Sequence, residues 1–356
     1  MRSLFLFLVL LFVMTFAYAQ ESASDKTDED TIDVITDQKA FSKGYIERQI
    51  MRYESLTKEY QKELRSLIRR NIEEKKRQIE EKYSPVIAKA FEKESANRRD
   101  AITLFENFIK KYPDNEKYTP GAMYRLAELY FERSAVLFED RTQEYEKAFE
   151  AFEDKVVAEE PVAPVKDFSD SVRLYEEIIN RFPSFQYLGA VYYMLGYCLE
   201  ESGNGEKAVK VWLELIDKKI ETPYLAELYL RIGDYYFRTN DLLNSQKYYE
   251  TGLAYKESDL FDKILYKLAW TYYRQSKYQQ AIDTFTSLIL FADEMKKKGI
   301  DKGQELRKEA LQYIAISYAD FEWGHVDKAI DYFQKINGGS FEKEVFEQLG
   351  KYYFEN

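Results

Sequence analysis

From about residue 97 onward, one pattern recurs six times: a small residue followed four positions later by an aromatic. The pairs are Ala101/Phe105, Ser171/Tyr175, Ala208/Trp212, Ser245/Tyr249, Ala281/Phe285 and Ala329/Phe333. A second pattern alternates with the first: an aliphatic residue, then Gly or Ala, then usually an aromatic three further on. It reads Leu126-Ala127…Tyr130, Leu195-Gly196…Leu199, Ile232-Gly233…Tyr236, Leu268-Ala269…Tyr272, Ile314-Ala315…Tyr318 and Leu349-Gly350…Tyr353. Gly196 and Gly233 are 37 residues apart, Gly233 and Ala269 are 36, and Ala315 and Gly350 are 35. The 46 residues from Ala269 to Ala315 place an insertion near Met295–Leu306. Residues four apart share a helix face, so each motif marks the packing face of one helix. Two antiparallel helices cannot bury both their apolar faces alone. Small residues let them approach, and the aromatics fill the gap to the next pair. The expected fold is all-α, a solenoid of helix pairs, here named A (aliphatic-Gly/Ala) and B (small-aromatic). Only 14 Gly and 7 Pro in 356 residues agree with it.

These motifs identify the tetratricopeptide repeat, a resemblance that covers about residues 97–356. Tyr112-Pro113 and Phe182-Pro183 close B helices as the terminal proline of that repeat does. Thr119-Pro120 and Thr222-Pro223 read as N-cap and first-turn residues of new A helices. The chain departs from the repeat in three ways: several first aromatics are Leu or Met, Ser replaces Ala in two B motifs, and an insert at about 139–166 splits the second unit. The insert ends in the acidic, proline-containing run Ala158–Lys166, which reads as a partner-binding loop or as a tolerated surface excursion. The stretch from Arg98 to Asp114 and from Tyr118 to Glu132 resembles exported deltaproteobacterial repeat proteins known as adventurous gliding motility proteins. That likeness implies an envelope scaffold. A basic helical arm before the repeats is also similar to the Tol-Pal-associated periplasmic protein.

The resemblance implies that A helices line a concave groove. The groove positions are then Tyr124 and Glu128, Tyr193 and Tyr197, Leu230 and Asp234, Tyr266 and Trp270, Gln312 and Ile316, and Glu347 and Lys351. Tyr124, Tyr193, Tyr197, Tyr266 and Trp270 are the candidate partner-binding residues, because aromatics bury much area at little entropic cost. The alternative is that these rings pack between neighbouring A helices. The Lys/Asn two-carboxylate clamp of chaperone-type repeats is absent, which disfavours acidic C-terminal tails as ligands.

Chemistry is sparse. One cysteine, Cys198, excludes a disulfide framework and a multi-cysteine zinc site, and one histidine, His325, excludes histidine relays. No phosphate-binding, dinucleotide, zinc-protease, nucleophile-elbow or calcium-loop motif occurs. Cys198 reads as core filling beside Gly196, and His325 as a turn cap between an A and a B helix. The expectation is no enzyme, no catalytic residue, no metal and no cofactor.

Before the repeats come three further segments. Arg2, the apolar run Leu4–Met14 and Ala17-Tyr18-Ala19 read as a signal peptide cleaved after Ala19, the alternative being an uncleaved N-terminal anchor. Residues 20–40 are a polar acidic tether without apolar periodicity. Residues 41–96 are a long charged helical arm, with Ile46, Ile50, Tyr53, Tyr60, Leu64 and Leu67 in heptad-like spacing. The phase then moves by one, to Ile68, Ile72, Ile79 and Tyr83. Residues 43–99 hold 16 Lys/Arg against 10 Asp/Glu, while the whole chain carries −11. The arm reads as a coiled coil for self-association or for an anionic surface, or as a solvated helical hairpin. The acidic balance disfavours nucleic acid. No membrane span is expected after cleavage. Together these features predict a periplasmic, non-enzymatic scaffold that binds envelope proteins or peptides, in a motility or envelope-assembly complex. The alternatives are an accessory module of cell-wall processing, and a structural protein self-assembling through the arm.

Overall fold

Between Tyr45 and Ala96 the chain holds no glycine and one proline, Pro85. Nothing but that proline interrupts helix propagation, and α1 (Lys43–Lys111) runs unbroken for 69 residues. The computed structural model describes residues 43–355. The signal peptide and tether expected over residues 1–40, and Phe41 and Ser42 at the start of the expected arm, lie outside the described residues. The described residues divide into two units between Ala90 and Phe91.

In the first unit the described chain is α1 alone. The hairpin reading of 41–96 is corrected, since the helix passes through Pro85 without a turn. Tyr53, Tyr60, Leu64, Leu67, Ile68, Ile72, Ile79 and Tyr83 are 43–66% exposed, so the apolar seam lies bare along the helix.

The second unit is the repeat array. The end of α1 is followed by α2 (Thr119–Glu153), α3 (Ser169–Arg181), α4 (Leu188–Glu201), α5 (Gly205–Asp217), α6 (Leu225–Arg238) and α7 (Leu242–Gly252). Then come α8 (Phe261–Arg274), α9 (Tyr278–Lys297), α10 (Gln304–Ala319), α11 (Val326–Lys335) and α12 (Glu342–Glu355). The described residues contain no strand. From α2 on, even-numbered helices carry the A motif and odd-numbered helices the B motif; α2 to α11 each pack on their sequence neighbours, and α12 packs on α10. The last five B pairs are buried: Ser171/Tyr175, Ala208/Trp212, Ser245/Tyr249, Ala281/Phe285 and Ala329/Phe333 are all between 0 and 1% exposed. Ala101 and Phe105 are half-buried beside the buried Ile102.

Close approach explains the motif. A Cβ on Gly196 of α4 would sit 2.1 Å from Nε1 of Trp212 on α5, and one on Gly233 of α6 would sit 2.5 Å from the Tyr249 ring on α7. Glycine on the A helix thus admits the whole aromatic ring of its B helix. The Trp212 indole N–H donates to the Tyr193 carbonyl at 3.2 Å. Where Ser replaces Ala, the hydroxyl finds a partner: Ser171 Oγ donates to the Ala127 carbonyl at 2.9 Å, and Ser245 Oγ lies 3.3 Å from Thr271 Oγ1.

Helix starts differ from the sequence reading. Thr119 is the first residue of α2 rather than its cap, and its hydroxyl donates to the Tyr112 carbonyl. Thr222 precedes α6 by a turn and accepts the Tyr224 N–H at 3.3 Å. The segment 139–166 consists of the last turns of α2 followed by irregular chain from Asp154. The expected insertion near Met295–Leu306 is the C-terminal extension of α9 and the turn into α10.

Candidate partner-binding face

The five candidate aromatics are all half-buried, and each stands on an A helix. They form three groups. Tyr124 on α2 lies 6.0 Å from the Tyr175 ring and 6.3 Å from Phe185. Burial and the neighbouring Glu128 push its phenol up to about 12. Tyr193 and Tyr197 stack on one face of α4, centroids 6.3 Å apart. Tyr193 also stacks on Tyr224 at 4.4 Å, and Tyr197 meets Phe131 at 5.9 Å. Tyr266 and Trp270 on α8 meet edge to face at 6.3 Å, and Trp270 lies 4.2 Å from Tyr313 of α10. Tyr266 donates to Glu309, and burial together with that carboxylate pushes its phenol up to about 12. Tyr193, Tyr197, Tyr266 and Trp270 therefore contact neighbouring A helices while keeping part of their surface free, and Tyr124 packs instead on the B-helix Tyr175 and on Phe185.

Polar groups lock the rings in place. The Tyr193 hydroxyl donates to Glu227 at 2.8 Å. Arg231 of α6 binds Glu227 and Glu200 of α4, each at 2.8 Å, and its guanidinium lies 4.9 Å from the Tyr197 ring centre. Burial pulls the Arg231 pKa down, but the hydrogen bonds to Glu227 and Glu200 outweigh it and leave it raised. Cation–ring and bidentate pairing of this sort orders an otherwise adaptable surface. Sequence reading missed Glu200, Glu227 and Arg231. Only Glu227 and Arg231, four apart on one helix, left a local signal.

Of the other groove positions, Leu230 and Asp234 join Tyr266 around a cavity of about 500 Å³ between α6, α8 and the start of α10. Asp234 is engaged there, accepting from Tyr249 at 2.6 Å and pairing with Lys267 at 3.2 Å.

His325 and Cys198 have the places expected of them. His325 is the N-cap of α11, its Nδ1 accepting the Asp327 N–H at 3.3 Å. Cys198 is buried, and burial pushes its thiol up to about 12. A thiol so raised is a poor nucleophile. Among the described residues no group of three or more His, Cys, Asp or Glu is placed to hold a metal ion, and no helix is long and apolar enough to cross a membrane.

Stacked helix pairs that alternate an A motif and a B motif define a helical repeat array. One tetratricopeptide repeat family model matches residues 87–115 and 264–290, and a second matches 226–259. The last two matches fall on the pairs α8/α9 and α6/α7, so the chain carries tetratricopeptide repeats. The crystal structure of the C-terminal part of a TPR repeat-containing protein from Cytophaga hutchinsonii is similar, at 15% identity and a TM-score of 0.41, covering 72% of this chain and 74% of that one. No curated protein matches the sequence.

Proposed function

We propose that the protein is a non-enzymatic scaffold of the bacterial cell envelope that holds partner segments along its A-helix face. The observation that carries this reading is the pairing of half-exposed aromatics on two A helices, Tyr193 with Tyr197 on α4 and Tyr266 with Trp270 on α8, pinned by carboxylates and Arg231. Pre-ordered aromatics lose little entropy when a peptide covers them. The exported location rests on the signal-like N-terminus, and a motility or envelope-assembly setting rests on the resemblance over Arg98–Glu132.

The test is a crosslinked capture from intact envelopes, comparing the parent with a Tyr193→Ala, Tyr197→Ala, Trp270→Ala variant of matched helicity. Loss of a partner from the variant alone supports the reading. Retention by both removes the A-helix face from recognition. The intact mass of the fractionated protein tests export, which requires a chain beginning at Gln20.

A second reading has its own observation. The bare seam of α1 suits self-association through residues 41–96. A Leu64→Glu, Ile72→Glu variant with the same light-scattering mass as the parent would reject it.

A further inference from the structure

Among the described residues Asp262 has no hydrogen-bond or ion-pair partner. It is the second residue of α8 and only 6% exposed. Oδ1 is fully enclosed without a donor, and no hydrogen bond or ion pair reaches Oδ2, the oxygen left open. A carboxylate withdrawn from water without a donor is costly. Two helix starts offset part of that cost, its own and that of α10. Gly303, the N-cap of α10, stands with its Cβ position 3.6 Å from Oδ2. Its φ of +75° needs glycine, so the turn passes the carboxylate without covering it.

Asp262 lines the cavity of about 500 Å³ between α6, α8 and α10. Asp301 and Glu305, from the turn into α10 and its first residues, also line it, as do Lys263 and Lys267 of α8. Lys267 is already held by Asp234, so the carboxylates prevail. Leu230 and the Tyr266 ring supply apolar wall.

We propose that this cavity is a subsite for a basic side chain, lysine or arginine, of the bound partner segment, with Asp262 as the anchoring carboxylate. The proposal rests on the A-helix face being the partner site. A methylene stem fits the Leu230 and Tyr266 wall while its charged head supplies the donor that Oδ2 lacks. An anion would meet the buried carboxylate, and an apolar side chain would leave it unpaired. Because Oδ1 is enclosed, one oxygen faces the ligand, and an ammonium satisfies it as well as a guanidinium does.

The test uses the full chain at fixed ionic strength, with n-butylguanidinium and n-butylammonium as probes. n-Butanol and butyrate are the controls, and the backbone amide resonances of Lys263, Gly303 and Gln304 are the reporters. Both cations should shift these resonances saturably, neither control should, and Asp262→Asn should weaken the cations at least tenfold. Should Asp262→Asn fail to fold, the exposed pair Asp301→Asn, Glu305→Gln carries the test, with two- to threefold weakening expected. Cation shifts that are absent, shifts unchanged in the variant, or saturable binding of butyrate would overturn the proposal. A partner lost by the aromatic triple variant but held normally by Asp262→Asn refutes the subsite alone. A partner held by the triple variant refutes the face itself.

Discussion

Gly196→Ala isolates the physics of the repeat. The added methyl would lie 2.1 Å from Nε1, 2.4 Å from Cε2 and 2.6 Å from Cδ1 of Trp212, a side chain with no exposed surface. Overpacking of this kind costs about 1–3 kcal/mol. Moving the indole also strains its bond to the Tyr193 carbonyl, which contributes about 1 kcal/mol. Against this, alanine is favoured over glycine inside a helix by about 1 kcal/mol. The balance is a loss of about 2 kcal/mol, or a fall of about 1 M in the urea midpoint of the transition that unfolds α4 and α5. Because each repeat contacts only its neighbours, the loss should concentrate there, so hydrogen exchange of α4 and α5 amides is the assay beside urea unfolding. Gly350→Ala is the control. Its Cβ meets nothing within 4 Å, and the helix should gain up to about 1 kcal/mol. If Gly196→Ala is as stable as the parent, the close-approach account of the motif is wrong.

Other perturbations follow from the same structure. The Tyr175 hydroxyl is buried without a partner, so Tyr175→Phe should leave stability unchanged or raise it by about 1 kcal/mol. Tyr249→Phe, which forfeits a 2.6 Å bond to Asp234, should lower it by about 1.5–3 kcal/mol, both read by urea unfolding. Arg307 ties Asp293 of α9 to Glu344 of α12 at 2.6 and 2.7 Å. Burial raises the Asp293 pKa, but Arg307 and Ser340 outweigh it; Arg307 depresses Glu344 directly. Depressed carboxylates stabilise the fold above their unfolded values of about 4 and lose that contribution as pH falls through the folded ones. Arg307→Met should therefore flatten the acid limb of a stability–pH curve below about pH 4. Pro85 leaves α1 short of one backbone donor, and Pro85→Ala should strengthen the helix by about 3 kcal/mol, seen as higher helicity on heating by circular dichroism.

Much of the array was legible because its signals are local. Small–aromatic pairs at i and i+4 name a helix face, and five of the six B pairs are buried as read. The caps were less legible. Thr119 and Thr222 resemble caps, but their hydroxyls are engaged by the Tyr112 carbonyl and the Tyr224 N–H outside the cap positions. Charge content and a phase shift allowed a hairpin over 41–96, but with no turn residue available the chain continues as one helix. The candidate aromatics were chosen from the groove positions that the repeat resemblance implies, and register there sets which face they occupy but not how deeply neighbours cover it.

The sequence by itself determined that this chain forms helix pairs, which helix of each pair carries glycine or alanine, and which positions share its outer face. Those properties depend on a 3.6-residue period and on spacings of 35 to 37 residues, both written along the chain. Only the tertiary structure decided that Arg231 reaches Glu200, 31 residues away, that Arg307 joins two other helices, and that Asp262 is buried beside Gly303 with no donor. Such meetings depend on how closely and at what angle helices pack, and the side chains that set this distance lie far apart in sequence.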